Sequence, residues 1–92
     1  MYIRLEQGLY MVGGGSGGPG ISNYKDCNVY LAEGEKDAFL IDGGSGLDNS
    51  LILDNIFETG CKPEKIRYLI LTHAHGDHGG RVKGLKERMP WI

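Results

Sequence analysis

Apolar positions in this chain follow two different periods, and the changes between them divide it into elements. In the opening stretch YIRLEQGLYMV, apolar residues alternate with polar ones or come in pairs among strand formers, which predicts one or two short strands around Gly8. CNVYLAE and AFLIDGG are two further apolar runs joined by the polar turn GEKD with its Gly34. This is the pattern of a β-hairpin, and Asp42 closes the second strand. Over residues 48–59 the period becomes helical: Leu51, Ile52, Ile56 and Phe57 recur behind a capping candidate, Asp48 or Ser50, and Gly60 stands just past the end. After a turn at residues 61–63, KIRYLILTH returns to strand character. Its near-continuous apolar run from Tyr68 to Leu71 predicts a strand buried on both faces, as parallel strands covered by helices are. Residues 80–89 place Val82, Leu85 and Met89 on one side of a second helix, which Pro90 stops.

Strands, helix, buried strand, helix in that order imply a layered α/β architecture with a right-handed crossover between parallel strands. At 92 residues the chain allows one domain, and a chain of that size buries roughly 60–65% of its unfolded surface. Between the first strands and the hairpin lies GGGSGGPG, the densest part of a glycine-rich composition (16 glycines). It can be laid onto the G-x-G-x-x-G pattern, but Pro19 and Gly20 follow where a dinucleotide site needs a helix. The stretch reads instead as a mobile loop.

The remaining composition is that of an ordinary globular protein, with 40% apolar and 24% charged residues and a net charge of −2. Acidic residues crowd the first two thirds and basic residues the last third, yet Lys62, Lys65, Arg67, Arg81, Lys83, Lys86 and Arg88 stand singly among apolar residues, as on solvated faces. Nucleic acid is therefore not the expected partner, and a small-molecule substrate is. No apolar run approaches the ~18 residues that span a bilayer, and the start lacks the pattern of a signal peptide, so a cytoplasmic location is expected. Cys27 and Cys61 are expected to be two separate, half-buried thiols.

The chemistry is concentrated in THAHGDHGG, residues 72–80, which holds every histidine of the chain. On an extended chain residues two apart share a side, so His73 and His75 can face one point beyond the end of the buried strand. Neutral imidazole and carboxylate are ligands for zinc and similar divalent ions, which makes His73, His75, Asp77 and His78 a candidate metal-binding set. Gly76 and Gly79 allow the sharp turns that would aim Asp77 and His78 at a second point. Asp42, also at a strand end before glycines, is either a turn former or a neighbour of the site.

The same segment resembles the H-x-H-x-D-H signature of the metallo-beta-lactamase superfamily, and the elements before it resemble the beginning of that fold. The resemblance implies a four-layered αββα sandwich, of which this chain, as a single incomplete domain over residues 1–92, is the N-terminal half with a mixed sheet and two helices. It assigns His73 and His75 to one metal and Asp77 and His78 to a second, with Asp77 also orienting the attacking water, and it matches Asp42 to an acidic residue near the metals. The ion it implies is Zn2+, two per complete site, with iron or manganese as alternatives. The implied reaction is hydrolysis of a small-molecule ester, thioester, lactone or related compound by a metal-bound hydroxide, with no side-chain nucleophile. Family members draw further ligands from later segments, whereas here Glu87 is the only acidic residue after Gly79 and no histidine lies outside the cluster. Three expectations follow: the N-terminal portion of a larger hydrolase; a homo-oligomer that covers the incomplete sheet; or a catalytically inactive metal-binding or self-associating module.

Overall fold

At Gly8 the chain reverses with a φ of 77°, a left-handed conformation that glycine adopts without steric cost. In this computed structural model, which describes residues 1–24, 26–43 and 50–70, that reversal joins β1 (Ile3–Glu6) to β2 (Leu9–Gly13) as an antiparallel pair. The expected hairpin follows as β3 (Val29–Glu33) and β4 (Ala38–Ile41), also antiparallel. Helix α1 (Ser50–Thr59) and a single 3-10 turn (Pro63–Lys65) lead to β5 (Ile66–Ile70), which pairs parallel with β4. The sheet is therefore mixed, with strands in the order β1-β2-β3-β4-β5. The second helix expected over residues 80–89 lies outside the described residues.

Register decides which side chains meet the helix. Tyr10, Val12, Val29, Leu31, Ala38, Leu40 and Ile66 alternate onto one face of the sheet, and α1 lies against that face with Ile52, Leu53 and Ile56. Val12, Val29, Leu31, Leu40, Ile52, Ile56 and Ile66 are completely buried and form the core. Truncating one of them to alanine, Leu31 for example, removes about 2–5 kcal/mol through lost transfer energy and the cavity left behind.

Two expectations about burial are corrected. Leu51 and Phe57 are 45% and 62% exposed, while Leu53 and Asn55 are buried in their place. At 100° per residue, positions 51 and 57 fall on opposite edges of the arc that 52, 53, 55 and 56 present to the sheet. Tyr68 and Ile70 are about half exposed, so β5 is covered on one face only among the described residues. The open face carries Ile3, Leu9, Met11, Tyr30, Ala32, Phe39, Ile41, Tyr68 and Ile70, and Phe39 stacks on Tyr68 with ring centroids 5.1 Å apart. Both faces are apolar in sequence, as a strand covered on both sides requires. Among the described residues no helix is long and apolar enough to cross a membrane.

Candidate metal-site rim

Because β4 and β5 are parallel, both reach the same rim of the sheet: Ile41 pairs with Ile70, and the N–H of Asp42 donates to the carbonyl of Ile70 at 2.8 Å. The antiparallel neighbours bring Gly13, at the end of β2, and Val29, at the start of β3, to that rim as well. Carboxyl ends of parallel strands are where open α/β sheets place their ligand sites.

Asp42 departs from ordinary strand geometry there. Its φ is 66°, and it is the one non-glycine residue with positive φ among the described residues. That conformation costs an L-residue roughly 1–2 kcal/mol, less for Asp, whose short polar side chain bonds locally. The residue is 9% exposed, so a carboxylate is buried at the rim in a strained backbone, a combination that clusters at functional sites. The metal-ligand set that would make Asp42 a site neighbour, expected over residues 73–78, lies outside the described residues.

The glycine-rich segment, expected as a loop, is folded on hydrogen bonds of its own. Gly15 N–H donates to the Asp26 carbonyl and Ser16 N–H to the Tyr24 carbonyl, both at 3.0 Å, while Ile21 and Ser22 N–H groups return to the Gly14 carbonyl. Gly14 N–H donates to Ser22 Oγ at 2.8 Å, and the Ser22 hydroxyl donates to Asp26 Oδ2 at 2.6 Å. At Gly15 and Gly18 glycine is there for space. A Cβ at Gly15 would lie 2.2 Å from the Tyr24 carbonyl oxygen, and one at Gly18 would lie 2.4 Å from Asn28 Oδ1. The N–H groups of Gly15, Ser16, Ile21 and Ser22 thus point inward to the loop's own carbonyls.

His73, His75, Asp77 and His78 lie outside the described residues, and among the described residues no three His, Cys, Asp or Glu side chains group as a metal site. Both thiols are free, but neither is half buried: Cys27 is exposed near the loop and Cys61 is buried at the other rim. The sequence reading passed over Asn55. Its signal was a polar residue inside the apolar arc of α1, one helical turn from Leu51 and next to Ile56.

Residues 23–91 match the description of the metallo-beta-lactamase superfamily. The chain belongs to that superfamily. As a superfamily member it is 34% identical over 78 residues to an atrochrysone carboxyl ACP thioesterase from Aspergillus chevalieri, a match covering 84% of this chain and 25% of the thioesterase. It is 32% identical over 78 residues to a ribonuclease Z from Lactiplantibacillus plantarum, covering 84% of this chain and 24% of that protein. Its fold superposes on a metallo-beta-lactamase from Elizabethkingia meningoseptica with a TM-score of 0.73 and 30% identity, covering 97% of this chain and 29% of that one. The mixed α/β fold is thus that of the superfamily's metal-dependent members, and the chain spans about a quarter of the length of these curated relatives.

Proposed function

We propose that this chain is the N-terminal part of a metal-dependent hydrolase acting on a small-molecule ester, thioester, lactone or related substrate in the cytoplasm. In this reading His73, His75, Asp77 and His78 hold the metal, zinc in two sites. The observation that carries it is the rim: β4 and β5 end side by side, Asp42 is buried and strained there, and the chain leaves β5 at Ile70 only three residues before His73. Three residues span at most about 10 Å, and this short covalent distance from Ile70 supports the reading that His73 belongs to the same rim.

The donor set suits the ion. Imidazole nitrogens and a carboxylate oxygen are the ligands zinc takes in sites that keep a position open for water. The metal would supply Lewis acidity, making an attacking water acidic enough to ionise near neutral pH and polarising the scissile carbonyl. The chain's own residues do the rest. Asp77 orients the water, Asp42 supplies a second carboxylate at the rim that can fix the ring of a ligand histidine, and the folded loop over residues 14–28 walls one side. The thioesterase similarity supports an acyl substrate, whereas the ribonuclease Z similarity supports a phosphodiester.

Stripped of metal and then titrated with zinc, the full-length protein is expected to hydrolyse p-nitrophenyl acetate, a thioester or a lactone only in the zinc form. His75→Ala is expected to lower that rate by more than the ~100-fold that losing an outer partner of a metal ligand costs. Zinc-independent turnover, or turnover unaffected by His75→Ala, would overturn the reading, and cleavage of an RNA phosphodiester alone would replace the substrate class. The open apolar sheet face favours one other reading, a self-associating metal-binding module without activity. Sedimentation as a monomer at high concentration removes that reading.

A further inference from the structure

Among the described residues Asn55 is the only polar side chain of the eight large side chains buried most completely, at 1% exposure, and each of its polar atoms is engaged. Its Nδ2 donates to the carbonyl of Val12 at 2.8 Å and to the carbonyl of Ile21 at 2.9 Å, and its Oδ1 accepts from the Met1 amino group at 2.6 Å. The amide's orientation follows from these partners, since a flipped group would set its oxygen against two carbonyl oxygens. Val12 stands just before the glycine-rich segment, and Ile21 is where that segment returns to bond Gly14. One side chain of α1 therefore ties both feet of the loop to the helix. Below it the fit is equally close, for a Cβ at Gly13 would come within 3.2 Å of Ile52 Cγ1.

We propose that Asn55 is a positioning residue for the rim, holding residues 14–22 as a preformed wall of the substrate cleft rather than as a lid that closes. The inference rests on the hydrolase reading for what the wall does, but not for the tie itself. Helix, loop and the end of β2 are joined at a buried amide, where each hydrogen bond is shielded from competing water. Substrate binding then pays no entropy for ordering the loop, so the effect of Asn55 belongs in substrate affinity and not in metal binding or the chemical step.

The test uses the full-length protein with Asn55→Leu, which is close in volume but has no donors, and with Ser22→Ala, which loosens the loop from its own side without touching α1. Hydrogen exchange is expected to accelerate about tenfold at the amides of Gly15, Ser16, Ile21 and Ser22 in both variants. The amides of Leu31 and Leu40 are expected to keep their wild-type rates. With zinc bound, KM is expected to rise about fivefold or more while kcat and zinc affinity stay within twofold of wild type. Equal acceleration of loop and strand amides, or none in the loop, overturns the tie; a loosened loop with unchanged KM overturns the wall. Absence of zinc-dependent turnover in the wild type overturns the hydrolase reading and with it the wall, while the exchange result decides the tie independently.

Discussion

The two rims of the sheet are made of similar materials, glycines, carboxylates and short turns, but they are built to different ends. At the lower rim every device closes something. Gly8 allows the β1–β2 reversal, Glu33 N–H donates to the Gly8 carbonyl at 2.7 Å, and the Glu33 carboxylate meets Lys65 Nζ at 2.9 Å. At the upper rim the devices fix the shape of an edge: Asp42 strained and buried where two parallel strands end, and a glycine-rich loop folded on itself and tied to α1. Both rims use glycine for left-handed backbone, Gly8 and Gly60 below and Gly20 above, but among the described residues only the upper rim also places such a conformation on a carboxylate, Asp42. Strain held on a carboxylate rather than on glycine is the feature on which the proposed function of the upper rim rests.

The comparison is most severely tested at Asp42. Asn tolerates left-handed backbone nearly as well as any residue but glycine, so Asp42→Asn keeps the shape and removes the charge. Zinc affinity or zinc-dependent turnover of the full-length protein is expected to fall about 10–100-fold, as for loss of an outer partner of a metal ligand, with stability changed by less than about 1 kcal/mol. If stability falls and activity does not, the upper rim is no different in kind from the lower. Gly8→Ala is the mirror experiment. Its Cβ would sit 2.8 Å from the Glu33 carbonyl oxygen at a φ of 77°, so a loss of about 1–3 kcal/mol is expected in a denaturant titration, with turnover per folded molecule unchanged.

Most of the scaffold was legible from pattern. Gly8, the GEKD turn and the switch from period two to helical period around residue 50 each have a local cause, and the strands and helix sit where those causes put them. What failed was non-local. Nothing in KIRYLILTH tells which of two apolar faces the rest of the chain described here leaves open, because that depends on what packs against it. The helical face was displaced to Leu51 and Phe57 because the choice among adjacent apolar residues is made by the sheet, not the helix. The fold of the glycine-rich loop is not legible locally because the role of Gly15 and Gly18 is spatial, and the carbonyl of Tyr24 and the side chain of Asn28 that require them lie nine and ten residues along the chain. The metal-ligand set expected over residues 72–80 lies outside the described residues, while the tie at Asn55 was not legible, since a buried amide looks like any other asparagine until its three partners are known.

The lower rim also makes the subtler predictions. Burial first, and then the neighbouring Glu33 carboxylate, push the Cys61 thiol up from 9.0 to about 11. A group whose native value is raised keeps its full stabilising contribution below pH 9.0 and loses it as pH climbs towards 11, because the unfolded chain ionises first. Between those values the denaturant midpoint is expected to drop, and a thiol reagent at pH 8 is expected to modify exposed Cys27 in the native protein while Cys61 reacts only after unfolding. Both partners of the Glu33–Lys65 pair are partly exposed, so breaking it with Glu33→Gln is expected to cost under about 1 kcal/mol, and less as salt rises. The same substitution removes the carboxylate that holds the thiol up and leaves the Lys65 ammonium that draws it down, so the decline in stability should still begin near pH 9.0 but level off at a lower pH and be smaller in total. A profile unchanged by Glu33→Gln would mean that burial alone governs Cys61, and that the ion pair at this rim is no more than a surface contact between two turns.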